Sequence, residues 1–183
     1  MKKVLIGGIG NVLLGDDGVG PYTAQLLASR YEFEDGVEVL DLGTPALDLI
    51  DQISGKDVVI LIDSVAIDAT PGKVLLYRKD EIMQHRPAVR MDPHSPALVD
   101  TLLSAELFGV APASLLLVGI SAECYEASCS LSGSVKAALD QAVVEILREL
   151  DRNHVAYRTR EPATALGAWW ATDEKMESPL LAQ

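Results

Sequence analysis

The sequence predicts a single-domain, three-layer α/β/α sandwich built on a mostly parallel, twisted sheet. Two runs, Val58 to Ile62 and Leu115 to Ile120, are apolar without interruption, the pattern of strands buried on both faces. Between and after them run helical stripes, Val99, Leu102, Leu103 and Leu107, then Val135, Leu139, Ala142, Val143, Ile146 and Leu150. The first apolar segment, Val4 to Ile6, runs into glycines that allow a tight exit from a strand. Strands alternating with helices in this way imply right-handed crossovers and helices on both sheet faces.

Taken in order, Gly20-Pro21 sets the start of a first helix from about Pro21 to Arg30, since proline is tolerated where no intrahelical N–H bond is lost. Val37 to Leu40 reads as a strand. Thr44-Pro45 then supplies a capping hydroxyl and an N1 proline for a helix that closes near Gly55. The strand Val58 to Ile62 ends at Asp63, and Lys73 to Tyr77 follows Pro71-Gly72 as an edge strand bracketed by basic residues. Ser95-Pro96 repeats the cap signal before a helix that stops at Gly109, and the stripe ending at Leu150 is the last helix. Periodicity is lost from Arg158 onward. The α/β domain is therefore assigned to residues 1–157 and a tail, with Trp169-Trp170, to residues 158–183.

The chain has 183 residues, within the usual size of one domain, and 49% hydrophobic residues exclude a disordered chain. Fifteen Lys plus Arg against 27 Asp plus Glu give a formal charge of -12, which repels a phosphate backbone and excludes a nucleic-acid partner. No apolar run approaches the roughly 20 residues of a membrane span, and the start has no leader-like apolar region. A cytoplasmic location without membrane contact is expected. Cys124 and Cys129 are too few for a disulfide framework and lack zinc spacing.

Strand 1 feeds Gly8-Ile9-Gly10-Asn11-Val12-Leu13-Leu14-Gly15-Asp16-Asp17-Gly18-Val19-Gly20. The dinucleotide fingerprint fails, because Leu13 stands where the third glycine belongs and two acids occupy the place of bare N–H groups. No nucleotide is expected. Asp16 and Asp17 by themselves read as carboxylates favoured at a helix start by its dipole. Asp63, ending a strand, either caps a turn or faces a cleft. His94, pinned between Pro93 and Pro96, is by itself a loop histidine. Together, two carboxylates and an imidazole from loops on one rim are able to hold a divalent ion or position a water. His85 and His154 read as solvated and as a helix-dipole partner, and Cys124 has no base beside it in the sequence.

The glycine-rich stretch resembles the opening signature of the nickel–iron hydrogenase maturation endopeptidases, Gly-x-Gly-Asn-x-Leu-x-x-Asp-(Asp/Glu)-Gly-x-Gly. The resemblance continues through Asp41-Leu42-Gly43-Thr44, Ile62-Asp63 and Pro93-His94 and covers about residues 3 to 150. It implies an endopeptidase, aspartic-type or metal-assisted, that removes the C-terminal extension of a hydrogenase large-subunit precursor after nickel insertion. By motif it implies Asp17, Asp63 and His94 as nickel ligands, with Asp17 and Asp63 catalytic and Asp41, Gly43 and Thr44 contacting substrate. The family's usual Asp-Gly-Gly-Thr is Asp41-Leu42-Gly43-Thr44 here. The nickel would arrive with the precursor, and the protease is expected to be a monomer. Two other readings stand beside it: a self-contained metal-dependent hydrolase on the same triad, and a non-enzymatic binding module.

Overall fold

The computed structural model describes residues 1–45, 48–66, 69–84 and 95–162. The main sheet has five strands, β1 (Val4–Ile9), β3 (Val37–Gly43), β4 (Val58–Val65), β5 (Val74–Arg78) and β6 (Ser114–Ser121). Their spatial order is β3-β1-β4-β6-β5, parallel throughout except for β5, which runs antiparallel to β6. The unbroken apolar runs fill both faces. Val58, Ile60 and Ile62 pack with Leu27, Val143 and Ile146 of α1 (Val19–Arg30) and α5 (Gly133–Arg152). Val59 and Leu61 pack on the other face with Ile53, Ile82 and Leu102, from α2 (Leu49–Ile53), α3 (Lys79–Gln84) and α4 (Ser95–Leu107). The predicted three layers are therefore present. Among the described residues no helix is long and apolar enough to cross a membrane.

Several boundaries differ from those expected. The first helix begins at Val19, which leaves Pro21 inside the first turn, where its missing N–H costs nothing. Thr44-Pro45 does not open α2: the Asp48 N–H donates to the Pro45 carbonyl at 2.8 Å, and Asp48 is the N-cap residue. The strand expected to end at Asp63 runs on, with Asp63, Ser64 and Val65 paired to Gly119, Ile120 and Ser121. The domain also continues beyond residue 157. Two strands, β2 (Tyr31–Phe33) and β7 (Tyr157–Thr159), form a small antiparallel sheet. The rings of Tyr31 and Tyr157 meet edge to face at 5.9 Å across it. Beyond β7, the Arg160 N–H donates to the Arg30 carbonyl at 2.8 Å. Trp169-Trp170 and the rest of the expected tail after residue 162 lie outside the described residues.

The start of α1 is set by backbone touching backbone. A Cβ on Gly20 would lie 2.2 Å from the Ile9 carbonyl oxygen and 2.4 Å from that of Ile62, and one on Gly8 would lie 2.2 Å from the Gly20 oxygen. Only glycine permits this approach of a helix to two strands.

On the same face, Glu149 of α5 is buried, with 2% of its side chain exposed. Arg78 of β5 grips it through Nη1 at 3.3 Å and Nη2 at 3.0 Å, and Arg152 and Asn153 add bonds at 3.2 and 3.1 Å. Burial pushes this carboxyl up, but the hydrogen bonds of Arg78, Arg152 and Asn153 and the charge of Arg78 together hold it below the usual carboxylate range. A depressed folded pKa stabilises the fold above the unfolded value, and this contribution is lost as pH falls through the folded one. Glu149→Gln should therefore lose about 2 kcal/mol at pH 7. The gap from wild type should close in acid below the ordinary carboxylate range. Urea unfolding of both chains across that window checks it, and a gap that is constant with pH would deny the charge any role.

Candidate functional site

The chain leaves the C-terminal end of β1 towards β3 and leaves that of β4 towards β5, on opposite sides. Parallel sheets open a crevice where the winding diverges in this way, here between β1 and β4. Alternation along β4 places Asp63 on the α2–α4 face, following Val59 and Leu61, and Ser64 on the α1 face, following Ile60 and Ile62. Asp63 is half-buried.

The loop after β1 folds back as a short 3-10 turn, Gly15–Gly18, which carries the two acids. Gly10 makes the reversal possible, with φ of 132° and the Asp17 carbonyl oxygen only 1.8 Å from where a Cβ would sit. Asp17 is 2% exposed. Its Oδ2 accepts the Asn11 N–H at 2.8 Å and its Oδ1 accepts the Ser64 hydroxyl at 3.1 Å. Since Ser64 adjoins Asp63 in β4, this bond attaches the acidic turn to the end of the strand that carries Asp63.

Asp16 behaves differently from its neighbour and from the helix-dipole expectation. It is fully buried, and its carboxylate accepts four hydrogen bonds, from the N–H groups of Glu123 (2.8 Å), Cys124 (3.0 Å) and Ser132 (2.6 Å) and from the Ser132 hydroxyl (2.9 Å). Ser132 is the N-cap of α5, so Asp16 fastens the loop between β6 and α5 to the glycine loop. An isolated parallel bridge between Leu14 and Ser128 adds to this seam. The Cys124 sulfur accepts the Glu126 N–H at 3.4 Å, and Cys124 and Cys129 are both free.

The third strand end is that of β3. Asp41 is exposed and its Oδ1 accepts the Gly43 N–H at 2.9 Å, a local turn that places Gly43 at φ 55°. The Gly43 carbonyl in turn accepts the Gly10 N–H at 2.8 Å, where the β1–β3 register shifts. Asp41, Gly43 and the exposed Thr44 are thus joined to the same glycine loop as Asp17. His94 and His85 lie outside the described residues, and His94 directly precedes the first residue of α4 in sequence. Among the described residues, no group of three His, Cys, Asp or Glu is placed to hold a metal ion. Asp17 and Asp63 alone make two candidate oxygen donors, a set suited to a hard or borderline cation that brings further ligands of its own. Sequence reasoning missed Ser64 and Ser132. The only signal of Ser132 is its position before the last helical stripe, and nothing local distinguishes Ser64.

The chain resembles known proteins in sequence and in fold. The profile of one family, described as hydrogenase maturation protease, matches residues 21–149. The chain belongs to this family. Hydrogenase expression/formation protein HupM of Azotobacter chroococcum is 36% identical over 160 residues, covering 87% of this chain and 77% of HupM. The hydrogenase 2 maturation protease of Escherichia coli K12 is 31% identical over 163 residues, covering 87% of this chain and 97% of the relative. Among solved structures, the hydrogenase maturating endopeptidase HybD of E. coli superposes with a TM-score of 0.80 at 29% identity, over 87% of this chain and 98% of HybD. HybD of Thermococcus kodakarensis gives 0.64 at 31% identity, over 81% and 98%. As a maturation protease, the chain places its glycine loop, acids and strand ends where the fold opens its crevice.

Proposed function

We propose that this maturation protease removes the C-terminal extension of a nickel–iron hydrogenase large-subunit precursor, and that nickel already in the precursor is what it recognises. The observation that carries the reading is Asp17. A carboxylate 2% exposed, fixed by the Asn11 N–H and by the hydroxyl of Ser64, the residue next to Asp63, is held in place at the crevice. Asp17 and Asp63, with His94, the residue before α4 in the sequence, would complete the coordination of an ion held by substrate thiolates. Oxygen and imidazole donors bind such an ion weakly alone and better when the partner supplies sulfur. The precursor's nickel would then bring the scissile bond against the two acids. Hydrolysis follows either by polarisation of the peptide carbonyl or by a water that gives its proton to a carboxylate. Asp41, Gly43 and Thr44 flank the same loop and would contact the incoming chain. The protease acts in the cytoplasm as a monomer in this reading.

The test is incubation of purified chain with nickel-loaded and nickel-free precursor, followed by mass spectrometry of the precursor C-terminus. Loss of one defined C-terminal peptide from the loaded form alone is expected. Equal cleavage of both forms would remove the nickel checkpoint. No cleavage of either, with metal held tightly by the chain itself, would favour the self-contained metallohydrolase.

A further inference from the structure

The two edges of the main sheet are finished differently. At one edge β5 is five residues long, bracketed by the exposed Lys73 and Arg78, and packed against α3 and α5. At the other, β3 runs seven residues, Val37-Glu38-Val39-Leu40-Asp41-Leu42-Gly43, with no proline or lysine and with Leu40 37% exposed. An edge of this length that leaves backbone N–H and C=O groups open is a template for another strand.

The direction of the open groups follows from one bond. The Val4 N–H donates to the Gly36 carbonyl. Backbone polar groups alternate sides along a strand, so Glu38, Leu40 and Leu42 face β1, whereas Val37, Val39 and Asp41 face outward. The Val37 N–H turns back to the Glu34 carbonyl. The N–H and C=O of Val39 and Asp41 and the C=O of Val37 meet no strand among the described residues. This row ends at Asp41 to Thr44, the turn bonded through Gly43 to Gly10 in the glycine loop that holds Asp17.

We infer that the outer edge of β3 is the docking strand for the substrate, and that the precursor's C-terminal segment pairs with Val37 to Asp41 as an added strand leading into the crevice. The inference rests on the protease reading above and specifies how that site takes its peptide. Strand addition supplies affinity through main-chain hydrogen bonds, which suits an enzyme that must hold an extended segment. The charge along the edge selects the occupant further. Glu34, Asp35, Glu38 and Asp41 are all exposed there, and among the described residues Lys56 is the cation paired with them, at Glu38. The complementary segment carries basic or neutral side chains, and acidic ones are repelled.

Val39→Pro tests this, because proline at an outward-facing position removes one open N–H and leaves the β1 ladder whole. Leu40→Pro, which removes a ladder donor, is the control for damage to the sheet. With nickel-loaded precursor, Val39→Pro should raise KM about five- to tenfold, the worth of one hydrogen bond, with kcat nearly unchanged. In the wild-type full chain, a synthetic peptide of the precursor's last 20 or so residues should slow hydrogen exchange at Val39 and Asp41. Acidic substitutions in that peptide should weaken the protection. Unchanged KM in a folded Val39→Pro chain, with no protection by the peptide, would overturn the inference while cleavage by wild type still upheld the protease function. Protection that rises with protein concentration in the absence of peptide would assign the edge to a second copy of the chain and likewise overturn it. Failure of wild type to cleave loaded precursor would overturn the function itself, and the occupant with it.

Discussion

Asp17→Asn is expected to slow precursor cleavage by about 10²- to 10⁴-fold while the fold stays in place, the range associated with loss of a positioned carboxylate. The substitution keeps shape and most of the bonding. An amide oxygen still accepts the Asn11 N–H, and the amide nitrogen can donate to the Ser64 hydroxyl, which rotates to accept. What disappears is the negative charge, and with it the two roles proposed for Asp17, a donor for the precursor's metal and a base for water. Asp63→Asn should act in the same direction. Cleavage rates and urea midpoints measured side by side decide the matter. An Asn variant that cleaves at the wild-type rate would remove Asp17 from the chemistry, and one that loses activity only together with stability would make it a structural residue.

The adjacent residue should behave in the opposite manner. Asp16→Ala strips four accepted hydrogen bonds from a fully buried carboxylate and leaves the N–H groups of Glu123, Cys124 and Ser132 without their acceptor. The cost should be about 3 to 5 kcal/mol, a large part of an ordinary domain's stability. Asp16→Asn, which retains an acceptor, should cost less. Chemical unfolding of the two variants gives the figures directly. A loss below about 1 kcal/mol for the alanine variant would mean that other contacts hold the loop between β6 and α5.

The contrast between these neighbours also marks how far the sequence can be read. The central strands were legible because burial on both faces writes an unbroken apolar run, as in Val58 to Ile62, and α5 because its stripe repeats over about four turns. The short pieces were not. The strands β2 and β7 have three residues each, too few for a period, and their partners lie more than 120 positions apart. The start of α2 was misplaced because a proline and a threonine that can cap a helix also suit a turn. The position of Asp63 was visible as a polar residue after an apolar run, but not the continuation of β4, which depends on pairing with β6. Asp16 and Asp17 look alike in sequence. Their roles divide only through Ser132 and Ser64, which are 116 and 47 residues away.

The meeting of Gly20 with Ile9 and Ile62 has a consequence for how this enzyme can vary over time. Side-chain packing is adjustable: a core leucine exchanged for methionine or isoleucine is accommodated by rotamers, and neighbouring helices drift by fractions of an ångström. A seat made of main chain against main chain has no rotamers to absorb such drift. The start of α1, and the acidic turn just before it, are therefore registered to the strand ends as a machined part is to its stop. The aliphatic filling beneath α1 and α5 can therefore be exchanged while the acidic turn keeps its spacing from the strand ends. The few positions that cannot be exchanged without shifting that spacing are those that have no side chain at all.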